Sequence, residues 1–185
     1  MKSASPGELY ARLLGDAWRE LAEPVRALHS AGGELRGRFV VMHGKGRIAR
    51  RLAKWSGLPG ATKSAETRLK IVADGDRQRW ERHFDGERLV TTQWAGDDGC
   101  LVERIRSWEL KFRLRVEDGA LHYEQQRARL CLGPLRIWLP WIPVVSATER
   151  ADGPSRVRVS VNVRLPLIGR LVAYDGWLDV EASPA

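Results

Sequence analysis

Gly44-Lys45-Gly46-Arg47-Ile48-Ala49 has the spacing of a glycine-rich phosphate turn, GxGxxA, set between a strand-like run and a helical one. In such a turn the free backbone N–H groups at a helix start attract an anion, and Gly44 and Gly46 would let the backbone approach it closely. The following helix would gather Lys45, Arg47, Arg50, Arg51 and Lys54 beside that turn. Those five cations suit a phosphate, an anionic lipid head group or a membrane surface. Glu66 lies about twenty residues on, where a dinucleotide fold places its ribose-binding acid. That reading needs a βαβ unit in a parallel sheet, and the short-turned chain after Glu66 argues against one. A tight turn with a solvated basic helix is the plainer alternative, because blocks of surface charge are usually no more than that.

Catalytic chemistry has less support. His29, His43, His83 and His122 sit on separate segments without HxH or HExxH spacing, so neither a metal nor any other cofactor is expected. GxSxG is absent as well, and an enzyme is not the leading reading. Glu81-Arg82, Glu103-Arg104 and Glu149-Arg150 are either charge pairs turned into a cavity or strand-edge pairs in water, the commoner case. Ile137-Trp138-Leu139-Pro140-Trp141-Ile142-Pro143 is an aromatic loop. Trp138 and Trp141 would suit a membrane interface, or the loop would fold back as a lid. Trp80, Trp94, Tyr123 and Tyr174 are the candidates for lining an interior cavity.

The charge balance isolates one region. Lys and Arg number 31 against 23 Asp and Glu, a net charge of +8. Leu35 to Ala65 carries eight of those cations and no acid, so the whole excess lies there. A local excess without helix-turn-helix, zinc-ligand or RNP-like spacing points away from specific nucleic-acid recognition. The first residues lack an apolar h-region, and no apolar run is long enough to span a bilayer. A cytoplasmic protein is therefore expected, with attachment to the inner membrane face as the further option the basic stretch allows. Cys100 and Cys131 accordingly read as reduced, half-buried strand residues.

The elements that must position these residues are mostly strands. Ser5-Pro6-Gly7-Glu8 is a helix start, and Leu9, Leu13, Ala17 and Leu21 form one stripe, which predicts a helix over Pro6–Ala22. Pro24 begins a further turn of helix ending at Gly32-Gly33, with His29 a capping residue near its C-terminus. Glu34–His43 reads as a strand, and Arg47–Ser56 as a short helix with Ile48, Leu52 and Trp55 opposite its basic side. Period-two alternation then predicts Thr67–Ala73, Gln78–Phe84, Arg88–Trp94, Cys100–Arg106, Glu109–Glu117, Ala120–Leu132, Val144–Glu149, Arg156–Val163 and Leu171–Val180. Asp85-Gly86, Asp118-Gly119 and Asp152-Gly153 are hairpin turns, so neighbouring strands must be antiparallel.

Leu9-Tyr10, Leu14-Gly15-Asp16-Ala17, Pro24 to His29, the Gly44-Lys45-Gly46 turn, Leu165 to Gly169 and Tyr174-Asp175-Gly176-Trp177-Leu178 together resemble the bacterial domain of unknown function 4166. The resemblance covers nearly the whole chain and brings no catalytic residues. It implies a domain that stands alone or follows an NAD-binding domain of saccharopine-dehydrogenase-like or epimerase-like type. An NAD-dependent enzyme is thereby an implied partner.

Together these readings give a mainly β or α+β single domain over 1–185, with a helical segment at 1–31, the strand, turn and basic helix at 34–65 and an antiparallel meander at 66–181. About ten strands should curl into a calycin-like barrel with helices packed on it. A barrel of that size can hold one small ligand. The expected function is a noncatalytic module for a hydrophobic or amphipathic, lipid-like molecule, its basic patch receiving an anionic head or membrane. The alternative is an accessory or catalytic domain for an NAD-dependent oxidoreductase or epimerase.

Overall fold

Alternating inward and outward residues, joined by turns that tolerate positive φ, leave this chain one economical way to bury its apolar faces, which is to close the sheet on itself. The computed structural model describes residues 6–30, 33–55, 59–137 and 143–180, without the side chains of Pro6, Arg50, Leu52, Lys54 and Trp55. Its strands are β1 (Gly33–His43), β2 (Thr62–Asp74), β3 (Arg77–Phe84), β4 (Glu87–Ala95), β5 (Leu101–Ile105) and β6 (Trp108–Glu117). They continue as β7 (Ala120–Leu132), β8 (Leu135–Ile137), β9 (Val144–Ala151), β10 (Arg156–Leu165) and β11 (Gly169–Asp179). Hydrogen bonds run in the order β6-β5-β4-β3-β2-β1-β11-β10-β9-β7, and β6 pairs with β7 to close the ring. The result is a closed antiparallel barrel of ten strands, with β8 attached to the far part of β7.

β8 was not among the strands the alternation predicts. At three residues it is too short to show a period, and it takes the edge of β7 that β9, paired only with Leu121 to Glu124, leaves open. Cys131 N–H already donates to Ser107 O at 2.7 Å in the β5–β6 turn, so the β7–β8 hairpin overhangs the rim. Where β9 begins along β7, the Gln125 side chain holds its first residues, donating to Pro143 O at 2.8 Å and accepting from Val145 N–H at 2.6 Å.

The N-terminal segment plugs one end of the barrel. α1 (Pro6–Leu14) stops earlier than its stripe suggests, because Gly15 takes φ 56° and the chain tightens into a 3₁₀ turn over Gly15–Glu20. α2 (Glu23–Ser30) follows, and Tyr10, Val25, Leu28 and His29 are fully buried. Ala22 N–H donates to Gly119 O at 2.9 Å, which ties the plug to the β6–β7 hairpin. The third helix, α3 (Arg47–Trp55), lies at the other end against β11 and β1. Ala49 and Ala53 are its buried contacts, whereas Ile48 is 64% exposed. The apolar residue expected to face away from water thus stands beside the cations.

Candidate functional site

Residues that alternate inward around a closed sheet must either fill its interior or leave a cavity. Here they leave one of about 280 Å³, capped at one end by Leu28 of the plug. Toward the opposite rim its wall is apolar, with Phe84, Leu89, Trp108, Val163 and Leu171 among the lining residues. Toward the plug it becomes polar: Thr91, Gln93, Glu103, Tyr123, Glu149 and the Arg82 guanidinium face it. Phe39, Phe84 and Tyr174 form a ring cluster in the wall, with centroids 5.6–6.0 Å apart.

The polar end is one connected network. His29 Nε2 lies 2.6 Å from Glu149 Oε2, and since a carboxylate can only accept, this nitrogen carries the hydrogen. Tyr123 donates to Glu149 Oε1 at 3.1 Å, and Tyr10 donates to Gln93 Oε1 at 2.8 Å. The two hydroxyls meet at 3.2 Å, yet each has one hydrogen and both are already committed. That contact therefore holds only when one hydrogen turns away from its other acceptor. Burial first, and the Glu149 charge second, push the Tyr10 and Tyr123 hydroxyls well above the ordinary tyrosine range. Burial likewise pushes Tyr174 up to about 12.

Arg82 is held differently. It donates to Thr91 Oγ1 at 3.1 Å, and its guanidinium carbon sits 5.0 Å over the Trp80 ring. Its nearest carboxylate, Glu103, is 3.9 Å away, beyond hydrogen-bond reach. A guanidinium has five N–H donors, so Arg82 can still donate, and Glu103 can still accept. The interior can thus grip a polar group that does both.

The structure separates the sequence candidates. Trp80, Tyr123 and Tyr174 line the cavity. Trp94 points to the outer face, where the Arg77 guanidinium carbon lies 4.9 Å over its ring. The parity differs because Thr91 and Gln93, not their apolar neighbour, face the polar interior. Lys45, Arg47 and Arg51 are exposed at the rim opposite the plug. The Arg50 and Lys54 side chains, and both Trp138 and Trp141, lie outside the described residues. Gly44 does not offer its amide to an anion. Its N–H donates to Leu171 O at 3.2 Å, and a Cβ there would meet Arg170 O at 1.9 Å. Its glycine is explained by that close approach to β11, while Gly46 is open to solvent. Tyr10 and Gln93 carried no signal in the sequence, and His29 read as a cap. Among the described residues, no three His, Cys, Asp or Glu gather as a metal site, and no helix is long and apolar enough to cross a membrane.

The family profile described as domain of unknown function DUF4166 matches residues 21–178, nearly the whole barrel and half of the plug. The chain belongs to this DUF4166 family. Among solved structures it is similar to Rv2717c from M. tuberculosis, at 16% identity and a TM-score of 0.49, over 87% of this chain and 99% of that one. It is also similar to a secretary abundant heat soluble protein from Ramazzottius varieornatus, at 12% identity and a TM-score of 0.40, over 81% and 94% of the two chains. No curated protein matches the sequence. For this DUF4166 domain, then, the interior geometry has to carry the functional argument.

Proposed function

We infer that this DUF4166 domain is a noncatalytic binding module for one small amphipathic molecule held inside the barrel. The observation that carries this reading is the cavity of about 280 Å³, apolar toward one end and polar toward the other. Its size approaches the lower end of typical ligand pockets, about 300 Å³. A polar group of the ligand meets Arg82 and Glu103, whose hydrogen-bonding capacity is incompletely used, and an apolar portion runs toward Trp108 and Leu171. The network of His29, Tyr10, Tyr123 and Glu149 is largely satisfied internally and fixes the plug to the wall. No nucleophile or paired acid and base is needed to account for these contacts.

Native mass spectrometry of protein purified from cells should show an adduct that denaturation releases. Titration of the emptied protein with a fluorescent medium-chain fatty acid should saturate at one equivalent. Ala147→Phe, which fills the cavity from β9, should abolish both signals with the fold retained. An empty protein with no saturable binding would remove the ligand from the reading.

A further inference from the structure

We propose that the rim opposite the plug docks on an anionic lipid bilayer, with the β10–β11 hairpin tip entering the interface. The turn Pro166-Leu167-Ile168 presents Leu167 at 87% exposure and at φ 65°. Left-handed backbone is unfavourable for leucine and water is unfavourable for its side chain, so folding alone does not explain this choice. The strands flanking the tip place Arg164 directly opposite Arg170, a like-charge pair that is unfavourable in water. Gly44 sews the start of α3 to the same hairpin, which brings Lys45, Arg47 and Arg51 around the exposed Ile48. None of these five cations has an ion-pair partner among the described residues.

The nearby acids do not neutralise them. Glu66 pairs with Arg38 and Glu109 with Arg129, while Glu87 and Asp85, which accept from Gly60 N–H and Glu66 N–H, keep their charge but form no ion pair with any of the five. On the overhanging β7–β8 hairpin, Leu135 is 63% exposed beside the exposed Arg136. The rim therefore combines protruding apolar tips with uncompensated positive charge, the two features that hold a protein at an anionic interface. A nucleic-acid groove would use the charge but give Leu167 and Leu135 nothing apolar to enter. The opposite end carries Asp74, Asp97, Asp118 and Asp152 in its turns, with Asp76 and Asp98 there paired to Arg77 and Lys111, so the approach to such a surface is oriented.

Sedimentation with vesicles of phosphatidylcholine, with and without phosphatidylglycerol, tests the docking. The native chain should sediment with the anionic vesicles only, and salt should weaken binding. One cation near such a surface contributes about fivefold to partitioning, so Arg164→Gln with Arg170→Gln should weaken binding by roughly 25-fold. Leu167→Gly should weaken it by roughly tenfold, as loss of a partly inserted leucine, while the thermal midpoint stays level or rises. Ala147→Phe should leave docking unchanged, so failure of the rim and failure of the cavity are read separately. Equal sedimentation with neutral vesicles, or an unaffected double variant, would overturn the proposal. So would binding to double-stranded DNA, undiminished in Leu167→Gly, in the absence of vesicle binding.

Discussion

Gly75 and Leu167 take almost the same φ at opposite ends of the barrel, 61° and 65°. At the plugged end the residue is glycine, between Asp74 and Asp76, and it adopts that shape without steric cost. At the opposite rim it is a leucine, exposed, between a proline and an isoleucine. The other plugged-end turns repeat the first solution, with Gly99, Asp118-Gly119 and Gly153 at their positive-φ positions. The rim departs from it at Arg106 as well, whose φ is 52°. Residues at the plugged-end turns thus match what the fold needs; at the rim Asp85-Gly86 and Gly133 do the same, whereas Leu167 and Arg106 carry local costs that the fold does not require. This difference is the physical basis for assigning stability to one end and contact with a partner to the other.

The sharpest way to break that division is to attack the plug. Glu149→Leu removes the acceptor of both His29 Nε2–H and the Tyr123 hydroxyl, leaving buried donors unpaired. A loss of about 4 kcal/mol is expected in urea unfolding, against under about 0.5 kcal/mol for Arg164→Gln at the rim. Similar losses for the two would erase the distinction. Alkaline titration probes the cavity wall next. Tyr174 is near 12 in the folded chain and about 10 unfolded, so the folded state keeps a proton that the unfolded chain releases. Its contribution is complete below about pH 10 and is lost as pH rises toward 12, to a limit of about 3 kcal/mol. Tyr10 and Tyr123, also raised by burial, add to the same loss. Tyr174→Phe should flatten the pH dependence of the thermal midpoint above pH 10; an unaltered slope would place the loss elsewhere.

The plug's network shows where sequence reading reaches its limit. Strands with one dry and one wet face were legible, and Ala120–Leu132 and the wall Leu110, Phe112, Leu114, Val116 follow from alternation alone. The barrel likewise follows from strand number and turn chemistry. The polar floor does not, because Tyr10 meets Gln93 across 83 positions and His29 meets Glu149 across 120. Such contacts exist only once the sheet has closed. Alternation also assumes a dry interior, and where Thr91 and Gln93 face inward it assigns Trp94 to the wrong face. Glu103 and Arg82 illustrate the same limit. Each has an oppositely charged sequence neighbour, Arg104 or Glu81, but adjacent strand residues point to opposite faces, and the inward partners come from different strands. Gly44 was legible as special, though for the wrong cause, since a glycine required by close packing and one required by a phosphate look identical in sequence.

The smallest effect is the most discriminating, because it exchanges the two residues that differ at nearly equal φ. Gly75→Leu places a leucine at φ 61°, where no atom lies within 4 Å to resist it, so the backbone conformation is what the variant tests. It should lose about 1–2 kcal/mol, the cost of a left-handed residue with a side chain. Leu167→Gly should recover part of the same quantity, about 0.5–1 kcal/mol, because glycine gives back some of the gain as unfolded-chain entropy. Opposite signs in chemical unfolding would show that Leu167 is retained against the interest of stability. If Leu167→Gly instead loses stability, the leucine packs for the fold's own sake, and the contrast between the two ends rests on charge alone.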